Sequence, residues 1–187
     1  MNNTIIVLTG PSGSGKTAVA KYLVSRYDME LPMRVTTRQR RNENENYVFA
    51  SMEEFDMMST NNQFFFETGS KDKRYGFVHD GSDRPIVIDT SYKNAIRLYN
   101  EQPNVIIVQF AYANIEETMK ERFNYRQDSH DTLNERIEYA IKDYYEYYAE
   151  VQEIAALTLY SDMYTIDEVK EIVSYVLEDK VLNGVKI

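Results

Sequence analysis

The sequence of 187 residues contains no cysteine, no tryptophan and only 2 histidines. The absence of cysteine excludes disulfide bonds, thiolate metal sites and a cysteine nucleophile, and it fits a reducing compartment such as the cytoplasm. The chain also lacks internal repeats and low-complexity linkers. Its length and its 43% of apolar residues therefore predict a single globular domain over residues 1–187, large enough to carry a small subdomain.

Long apolar runs are missing as well. No stretch approaches the length of a membrane span, and the N-terminus lacks the basic-then-apolar pattern of a signal sequence, so we expect a cytoplasmic protein that does not contact membranes. The 21 basic residues are outnumbered by 30 acidic ones, giving a net charge of −9. This charge disfavours binding to nucleic acid, so we expect small-molecule partners. The composition leaves a monomer and a homodimer equally open.

Short β-branched apolar runs alternate with stretches of helical periodicity along most of the chain. This alternation predicts an α/β fold with a parallel sheet flanked by helices. We expect Asn114 and Thr165 to cap the helices that follow them. The expected strands are residues 4–9, 85–89, 105–111 and 157–160, and the expected helices are residues 16–27, 91–101, 115–125, 131–153 and 166–180.

Residues 34–84 break the alternation of strands and helices. The segment is polar, with short apolar stretches at residues 47–49 and 64–66. We interpret it as a subdomain inserted into a core made of residues 1–33 and 85–187.

The first apolar run leads into Gly-Pro-Ser-Gly-Ser-Gly-Lys-Thr at residues 10–17, which matches the phosphate-binding loop pattern G-x-x-x-x-G-K-[ST]. Glycines let successive N–H groups turn toward phosphate oxygens, and the next helix directs its positive end at the same place. Lys16 can reach the β- and γ-phosphates, and the Thr17 hydroxyl can ligate Mg²⁺. The sequence therefore predicts an ATP–Mg²⁺ site made by Gly10, Ser12, Gly13, Ser14, Gly15, Lys16 and Thr17.

Residues 34–41 contain four arginines in an otherwise acidic chain. Crowding them is unfavourable unless an anion lies among them, and the planar guanidinium fork suits phosphate. Arg38 and Arg41 are therefore candidate phosphate clamps, and the Tyr47 hydroxyl can add a neutral donor. A solvated basic loop paired with neighbouring glutamates is the alternative.

Four stretches in order resemble the guanylate kinase family: the phosphate-binding loop, Val-Thr-Thr-Arg-x-x-Arg at residues 35–41, Phe-Phe-Glu at residues 65–67, and Arg-Tyr-Gly at residues 74–76. The resemblance runs from residue 4 to about residue 160. It implies a P-loop NTPase-type sheet with an inserted nucleoside-monophosphate-binding subdomain and a mobile lid. It also implies an ATP-dependent phosphotransferase that acts on GMP or dGMP with Mg²⁺ as cofactor.

The resemblance assigns roles to particular residues of the inserted segment. Glu67 would accept hydrogen bonds from the two adjacent donors of guanine, N1–H and the exocyclic amine. Asp89 matches an acidic residue that the family has near the phosphates, although a strand-end carboxylate that caps the next helix is an equal alternative. The residues implied to bind the acceptor are Arg38, Arg41, Tyr47, Glu67, Tyr75 and Asp89.

The family also has a mobile lid where this chain has residues 123–133. Arg122, Arg126 and Arg136 would close over the triphosphate and, with Lys16, stabilise the charge of the transferring phosphoryl group. Closure would also exclude water, which competes with the acceptor. Salt bridges on a helix surface are the alternative role for these arginines.

Four residues depart from the family pattern: Arg34 for a small hydroxyl residue, Arg40 for a proline, Phe77 for a serine or threonine, and Ser91 for an acidic residue. The departures fall mainly on residues that read the base, so an enzyme of the same fold that phosphorylates ribose 1,5-bisphosphate stays an alternative. Arg34 fits such an acceptor because a sugar bisphosphate carries more phosphate than a nucleoside monophosphate. A non-catalytic binding module and a slow triphosphate hydrolase are further alternatives, although the former usually loses the loop lysine and the lid arginines.

Overall fold

A computed structural model of the chain describes residues 3–40, 45–124 and 130–179, with only the backbone described for residues 123–124 and 130–136. In chain order, its elements are β1 (Ile5–Thr9), α1 (Lys16–Tyr27), β2 (Met33–Thr36), β3 (Val48–Phe49), α2 (Met52–Thr60), β4 (Phe66–Ser70), β5 (Lys73–Val78), β6 (Ile86–Thr90), α3 (Tyr92–Glu101), β7 (Val105–Ala111), α4 (Ile115–Asn124), α5 (His130–Ile154), β8 (Leu157–Tyr160) and α6 (Ile166–Leu177).

The main sheet has four parallel strands in the order β6-β1-β7-β8. All five residues of β1 are buried, as expected for a parallel strand covered by helices on both faces. One face packs against α1 and α6 through a cluster that includes Leu23 and Val173. The other face packs against α3 and α5 through a cluster that includes Leu98 and Val151. The predicted α/β fold class is therefore confirmed.

The carboxyl ends of β1 and β6 lie side by side, with Thr9 opposite Thr90. The loop after β1 and the start of α3 consequently meet at one edge of the sheet, which is where open parallel sheets bind ligands. This edge positions the site described below.

A second sheet, called here the insert sheet, has the strand order β3-β2-β5-β4. The pairs β2–β5 and β5–β4 are antiparallel, and β3 pairs in parallel with β2. Helix α2 covers the outer face, where Phe55 is fully buried and its ring stacks on Phe64 at a centroid distance of 4.6 Å. Ser51 and Glu54 start α2 with a reciprocal capping box.

The two segments that join the insert sheet to the core are tied together. Buried Glu30 contacts the imidazole Nδ1 of His79 at 2.5 Å and accepts the backbone N–H of Asp80 at 2.9 Å. Glu30 also forms an isolated bridge to Ile86 of β6. Glu30, on the segment that enters the insert sheet, therefore contacts the segment that leaves it through several polar contacts.

The predicted elements of the core are found with small shifts at their ends. The helix expected at residues 131–153 spans His130–Ile154, and the helix expected at residues 166–180 is described as α-helical for Ile166–Leu177. Thr165 caps α6 in a capping box with Glu168, and Asn114 accepts the N–H of Glu117 at 3.3 Å at the start of α4. Among the described residues, no helix combines the length and apolar character needed to cross a membrane.

Candidate active site

The loop between β1 and α1 has backbone angles that require glycine. Gly10, Gly13 and Gly15 have φ values of 143°, 87° and 91°. A Cβ on Gly10 would lie 2.4 Å from the carbonyl oxygen of Phe110 in β7. Gly15 occupies the N-cap position of α1, so no side chain covers the first N–H groups of this helix. The free helix end and the curled loop together suit a phosphate group.

The Lys16 side chain lies across the mouth of this loop. Its ammonium donates to the carbonyl oxygens of Gly10 at 2.8 Å and Pro11 at 2.6 Å, and it contacts the hydroxyl of Ser14 at 3.3 Å. The carbonyl oxygen of Ser12 accepts from the Tyr112 hydroxyl at 3.2 Å, which anchors the loop to the end of β7. The cation is therefore held where the predicted phosphates would bind.

Asp89 links the loop to the insert sheet. Its carboxylate accepts from the Thr17 hydroxyl at 2.9 Å and from the Arg34 guanidinium at 2.9 Å. The Asp89 and Arg34 side chains are mostly buried, with 14% and 13% of their surfaces exposed. Asp89 thus lies beside the phosphate-binding loop, while the N–H groups of Tyr92 and Lys93 at the start of α3 bond to Asp143.

Thr17 and Asp89 also fit a magnesium ion. A hydroxyl and a carboxylate are hard oxygen donors of the kind that Mg²⁺ prefers, and they lie beside the lysine of the loop. The donor set therefore agrees with the cofactor predicted for this site.

Arg38, Tyr47 and Tyr75 form a cluster on the insert sheet. The guanidinium of Arg38 lies 5.1 Å from the ring centroid of Tyr47, and the rings of Tyr47 and Tyr75 meet edge-to-face at 6.2 Å. Glu45 pairs with Arg38 at 2.5 Å and orients its guanidinium. Burial raises the pKa of Tyr47, so its hydroxyl remains a hydrogen-bond donor at neutral pH.

The loop and this cluster face the same cleft, which has a volume of about 860 Å³. Gly10, Ser12 and Lys16 of the loop line the cleft, and so do Arg38, Tyr47 and Tyr75 of the cluster. Asp89, which contacts both Thr17 and Arg34, also lines the cleft. Some predicted residues of each anion site thus line the same cleft.

Glu67 is not brought to this cleft. Its carboxylate accepts from the Ser59 hydroxyl at 2.6 Å and pairs with Arg74 at 3.1 Å. Arg74 in turn lies 4.4 Å from the ring centroid of Phe55, on the face covered by α2. In this arrangement Glu67 is not positioned to accept hydrogen bonds from a base in the cleft.

Arg122, at the end of α4, reaches the phosphate-binding loop. Its guanidinium donates to the carbonyl oxygen of Gly13 at 2.6 Å and lies 5.2 Å from the ring centroid of Tyr112. Arg41 and Arg126 lie outside the described residues, as does much of the predicted lid. Arg136 lies on α5, within the part for which only the backbone is described.

The four departures from the family pattern have distinct locations. Arg34 pairs with Asp89, and Arg40 lies 4.4 Å from the ring centroid of Phe49. Phe77 lines the cleft and is 5% exposed. Ser91 also lines the cleft, at the N-cap position of α3.

Asp143 on α5 is a cleft residue that sequence reasoning missed. Its carboxylate accepts the backbone N–H groups of Tyr92 at 2.8 Å and Lys93 at 3.3 Å, so it caps α3 in place of Ser91. Burial raises the pKa of Asp143, and these two hydrogen bonds oppose that rise. One sequence signal was available: Asp143 follows buried Ala140 by three residues, on a helix face directed at the protein interior.

Comparisons with known proteins point to one family. A family model described as guanylate kinase matches residues 2–156. The chain is similar to the guanylate kinase of Fusobacterium nucleatum subsp. nucleatum, at 25% identity over 148 residues that cover 74% of this chain and 80% of the relative. It is also similar to the guanylate kinase of Photorhabdus laumondii subsp. laumondii, at 25% identity over 159 residues, 79% of this chain and 77% of the relative.

A solved structure agrees with this match at the level of the fold. The crystal structure of guanylate kinase from Anaplasma phagocytophilum is similar with a TM-score of 0.68 and 17% sequence identity. The similarity covers 96% of this chain and 86% of the solved chain.

Proposed function

Since the chain belongs to the guanylate kinase family, and is therefore a kinase, we propose that it transfers the γ-phosphate of ATP to GMP or dGMP with Mg²⁺ as cofactor. The observation that carries this proposal is the shared cleft, in which the phosphate-binding loop faces Arg38 and Tyr75. Two anion sites on opposite walls of one space suit a reaction between two phosphates. A site that only binds or hydrolyses ATP has no need of the second.

The donor triphosphate would bind along residues 10–17. The backbone N–H groups of Gly13, Ser14 and Gly15 and the first turn of α1 would hold the phosphates, and Lys16 would exchange its carbonyl partners for phosphate oxygens. Thr17 and Asp89 would hold Mg²⁺, which supplies positive charge to the β- and γ-phosphates when bound. The chain itself orients the triphosphate for in-line attack.

The acceptor phosphate would bind to Arg38, Arg41, Tyr47 and Tyr75. Both terminal nitrogens of Arg38 now pair with Glu45, and they would exchange this carboxylate for the acceptor phosphate. The two tyrosine hydroxyls offer neutral donors. A phosphate monoester dianion is itself a nucleophile, so the reaction needs no general base. Alignment of the two phosphates then supplies much of the catalysis.

The arginines of the lid would complete the charge around the transferring phosphoryl group. Arg122 already contacts the loop through Gly13, which supports its assignment. We assign Arg126 and Arg136 to the same role from their positions in the sequence. Their cationic groups would stabilise negative charge that spreads over the phosphoryl oxygens in the transition state.

A sugar bisphosphate stays the alternative acceptor. Arg34 was the residue that favoured an additional phosphate, and it pairs with Asp89 as Arg38 pairs with Glu45. A non-catalytic module is disfavoured, because Lys16 and Arg122 both lie at the phosphate-binding loop.

A coupled assay of ADP release tests this proposal. We expect release from ATP to require an acceptor and to proceed with GMP or dGMP. AMP, UMP, CMP and ribose 1,5-bisphosphate complete the panel of acceptors. ADP release at one rate with and without every acceptor would identify a hydrolase and contradict the proposal.

A further inference from the structure

Ser91 has a hydroxyl whose usual structural role is taken by another side chain. The residue occupies the N-cap position of α3, where a serine normally accepts a backbone N–H of the first turn. Its side chain makes no such bond here, because the Asp143 carboxylate accepts the N–H groups of Tyr92 and Lys93. The Ser91 hydroxyl is therefore not needed to start this helix.

The same hydroxyl is buried at the wall of the cleft. Ser91 lines the cleft, and its Oγ is shielded from water without a hydrogen-bond partner in the described part of the chain. Such an atom is unfavourable in the folded protein, and most buried polar atoms have a partner. A ligand in the cleft that bonds to Ser91 would supply the missing partner.

Tyr139 of α5 lies next to Ser91. Partial burial raises the pKa of Tyr139, and a polar contact with the Ser91 hydroxyl opposes this rise, so the two side chains are neighbours. Tyr139 also lines the cleft and is 60% exposed, which leaves its protonated hydroxyl accessible to a ligand. Ser91 and Tyr139 are called here the hydroxyl pair.

Two carboxylates act on the hydroxyl pair. After burial, the largest influence on the pKa of Tyr139 is the Asp143 carboxylate, which raises it, and Glu146 raises it as well. These negative charges disfavour a phosphate at this position, whereas Lys16 elsewhere in the cleft attracts one. Hydroxyls are neutral and both donate and accept hydrogen bonds. The hydroxyl pair therefore suits an uncharged part of the acceptor.

We propose that Ser91 and Tyr139 form hydrogen bonds with the nucleoside of the acceptor, while the arginine and tyrosines of the insert sheet hold its phosphate. Tyr139 would thus add a residue of α5, a helix of the core, to the acceptor site. This inference rests on the proposed phosphotransfer to a nucleoside monophosphate.

Removal of each hydroxyl tests the inference. In Tyr139→Phe and in Ser91→Ala we expect the Kd for GMP, measured by calorimetry on the full chain, to rise by about 2- to 10-fold, the effect of one neutral hydrogen bond. The Kd for ATP should stay unchanged. Tyr175→Phe is the matched control, since this tyrosine of α6 is 78% exposed and is not a cleft residue. A wild-type Kd for GMP in either cleft variant overturns the inference.

The stability of Ser91→Ala separates ligand binding from a structural role. Because the Ser91 hydroxyl lacks a partner among the described residues, we expect the free energy of unfolding without ligand to stay at the wild-type value or to rise. Urea unfolding provides this value. A loss of stability that accompanies the loss of affinity would identify a structural hydroxyl and overturn the inference.

Guanosine distinguishes contacts to the nucleoside from contacts to the phosphate. Its Kd, measured by displacement of GMP, should rise in Tyr139→Phe and Ser91→Ala by the same factor as the Kd for GMP. A Kd for guanosine that stays unchanged while the Kd for GMP rises would place the hydroxyl pair at the phosphate and overturn the inference. Binding of GMP without ADP release contradicts the kinase proposal alone, and a wild type that does not bind GMP overturns both.

Discussion

The donor loop is formed by residues that are adjacent in the sequence, whereas the cleft face of the insert sheet is formed by residues that are far apart in the sequence. The loop is one run of eight residues, Gly10–Thr17, and its lysine contacts carbonyls within that run. The cleft face combines side chains from β2, β4 and β5, whose relative positions depend on strand register. A site of the first kind is specified locally, whereas a site of the second kind requires the tertiary structure.

Strand register determines which side chains of the insert sheet lie on the cleft face. Side chains alternate between the two faces of a strand, so a shift of one residue moves a side chain to the other face. Phe66 and Thr68 belong to the cleft face, and Glu67 between them belongs to the face covered by α2. The same short sequence thus buries the Phe66 ring in the core cluster and leaves the Glu67 carboxylate on the face covered by α2.

Removing the loop lysine tests the donor side with the largest expected effect. Lys16→Ala should lower kcat for phosphoryl transfer by about 100- to 1,000-fold, because it removes a cation from the charged transition state. The measurement is ADP release at saturating acceptor. Lys21→Ala, at an exposed position of the same helix, is the control. Wild-type turnover in Lys16→Ala would exclude the loop as the donor site.

A substitution of Arg38, the proposed ligand of the acceptor phosphate, tests the acceptor site. Arg38→Lys keeps the charge but loses the planar fork. We expect the KM for GMP to rise about 10- to 100-fold, since hydrogen bonds to charged groups contribute about 1.5–3 kcal/mol, while the KM for ATP stays unchanged. Arg84→Lys is the control, because Arg84 pairs with Asp28 and Asp80 away from the cleft. An unaltered KM for GMP in Arg38→Lys would contradict the clamp.

The Arg34–Asp89 pair joins the two sides and can be measured by a double-mutant cycle. Arg34→Met, Asp89→Asn and the double variant should reveal a coupling of about 1.5 kcal/mol in the free energy of unfolding, because both groups are mostly removed from water. Urea unfolding provides the values. Additive effects of the two single variants would mean that the pair does not hold the insert sheet to the core.

The smallest expected effect concerns the outer face of the insert sheet. Ser59→Ala removes a hydrogen bond to Glu67 and should lower the free energy of unfolding by about 0.5–1.5 kcal/mol without changing the KM for GMP. Thr60→Ala, the next residue of α2, is the control. A raised KM for GMP in Ser59→Ala alone would place Glu67 in the acceptor site.

The core and the donor loop could be predicted from the sequence because their signals are local. The apolar run before Gly10 and the helical periodicity after Lys16 specify the strand, loop and helix without knowledge of other segments. Thr165 is a similar case, since its capping box with Glu168 lies within four residues.

The acceptor wall could be predicted only in part. The resemblance identified Arg38, Tyr47 and Tyr75, which the structure brings to one cleft. It could not give the register that separates Phe66 from Glu67, nor the contact from α5 that uses Asp143 to cap α3. Both features depend on pairings between residues far apart in sequence. The spacing of Asp143 from Ala140 indicates an inward helix face but does not identify the partner of the carboxylate.

The most direct test of facing donor and acceptor sites uses a ligand that spans them. Adenosine and guanosine joined by five phosphates should bind far more tightly than ATP or GMP alone, because linked groups bind without a second loss of translational freedom. Calorimetry with the wild type, Lys16→Ala and Arg38→Lys should show this gain in the wild type and a loss in each variant. Affinity no greater than that of ATP, or a loss in Lys16→Ala alone, would contradict two facing sites.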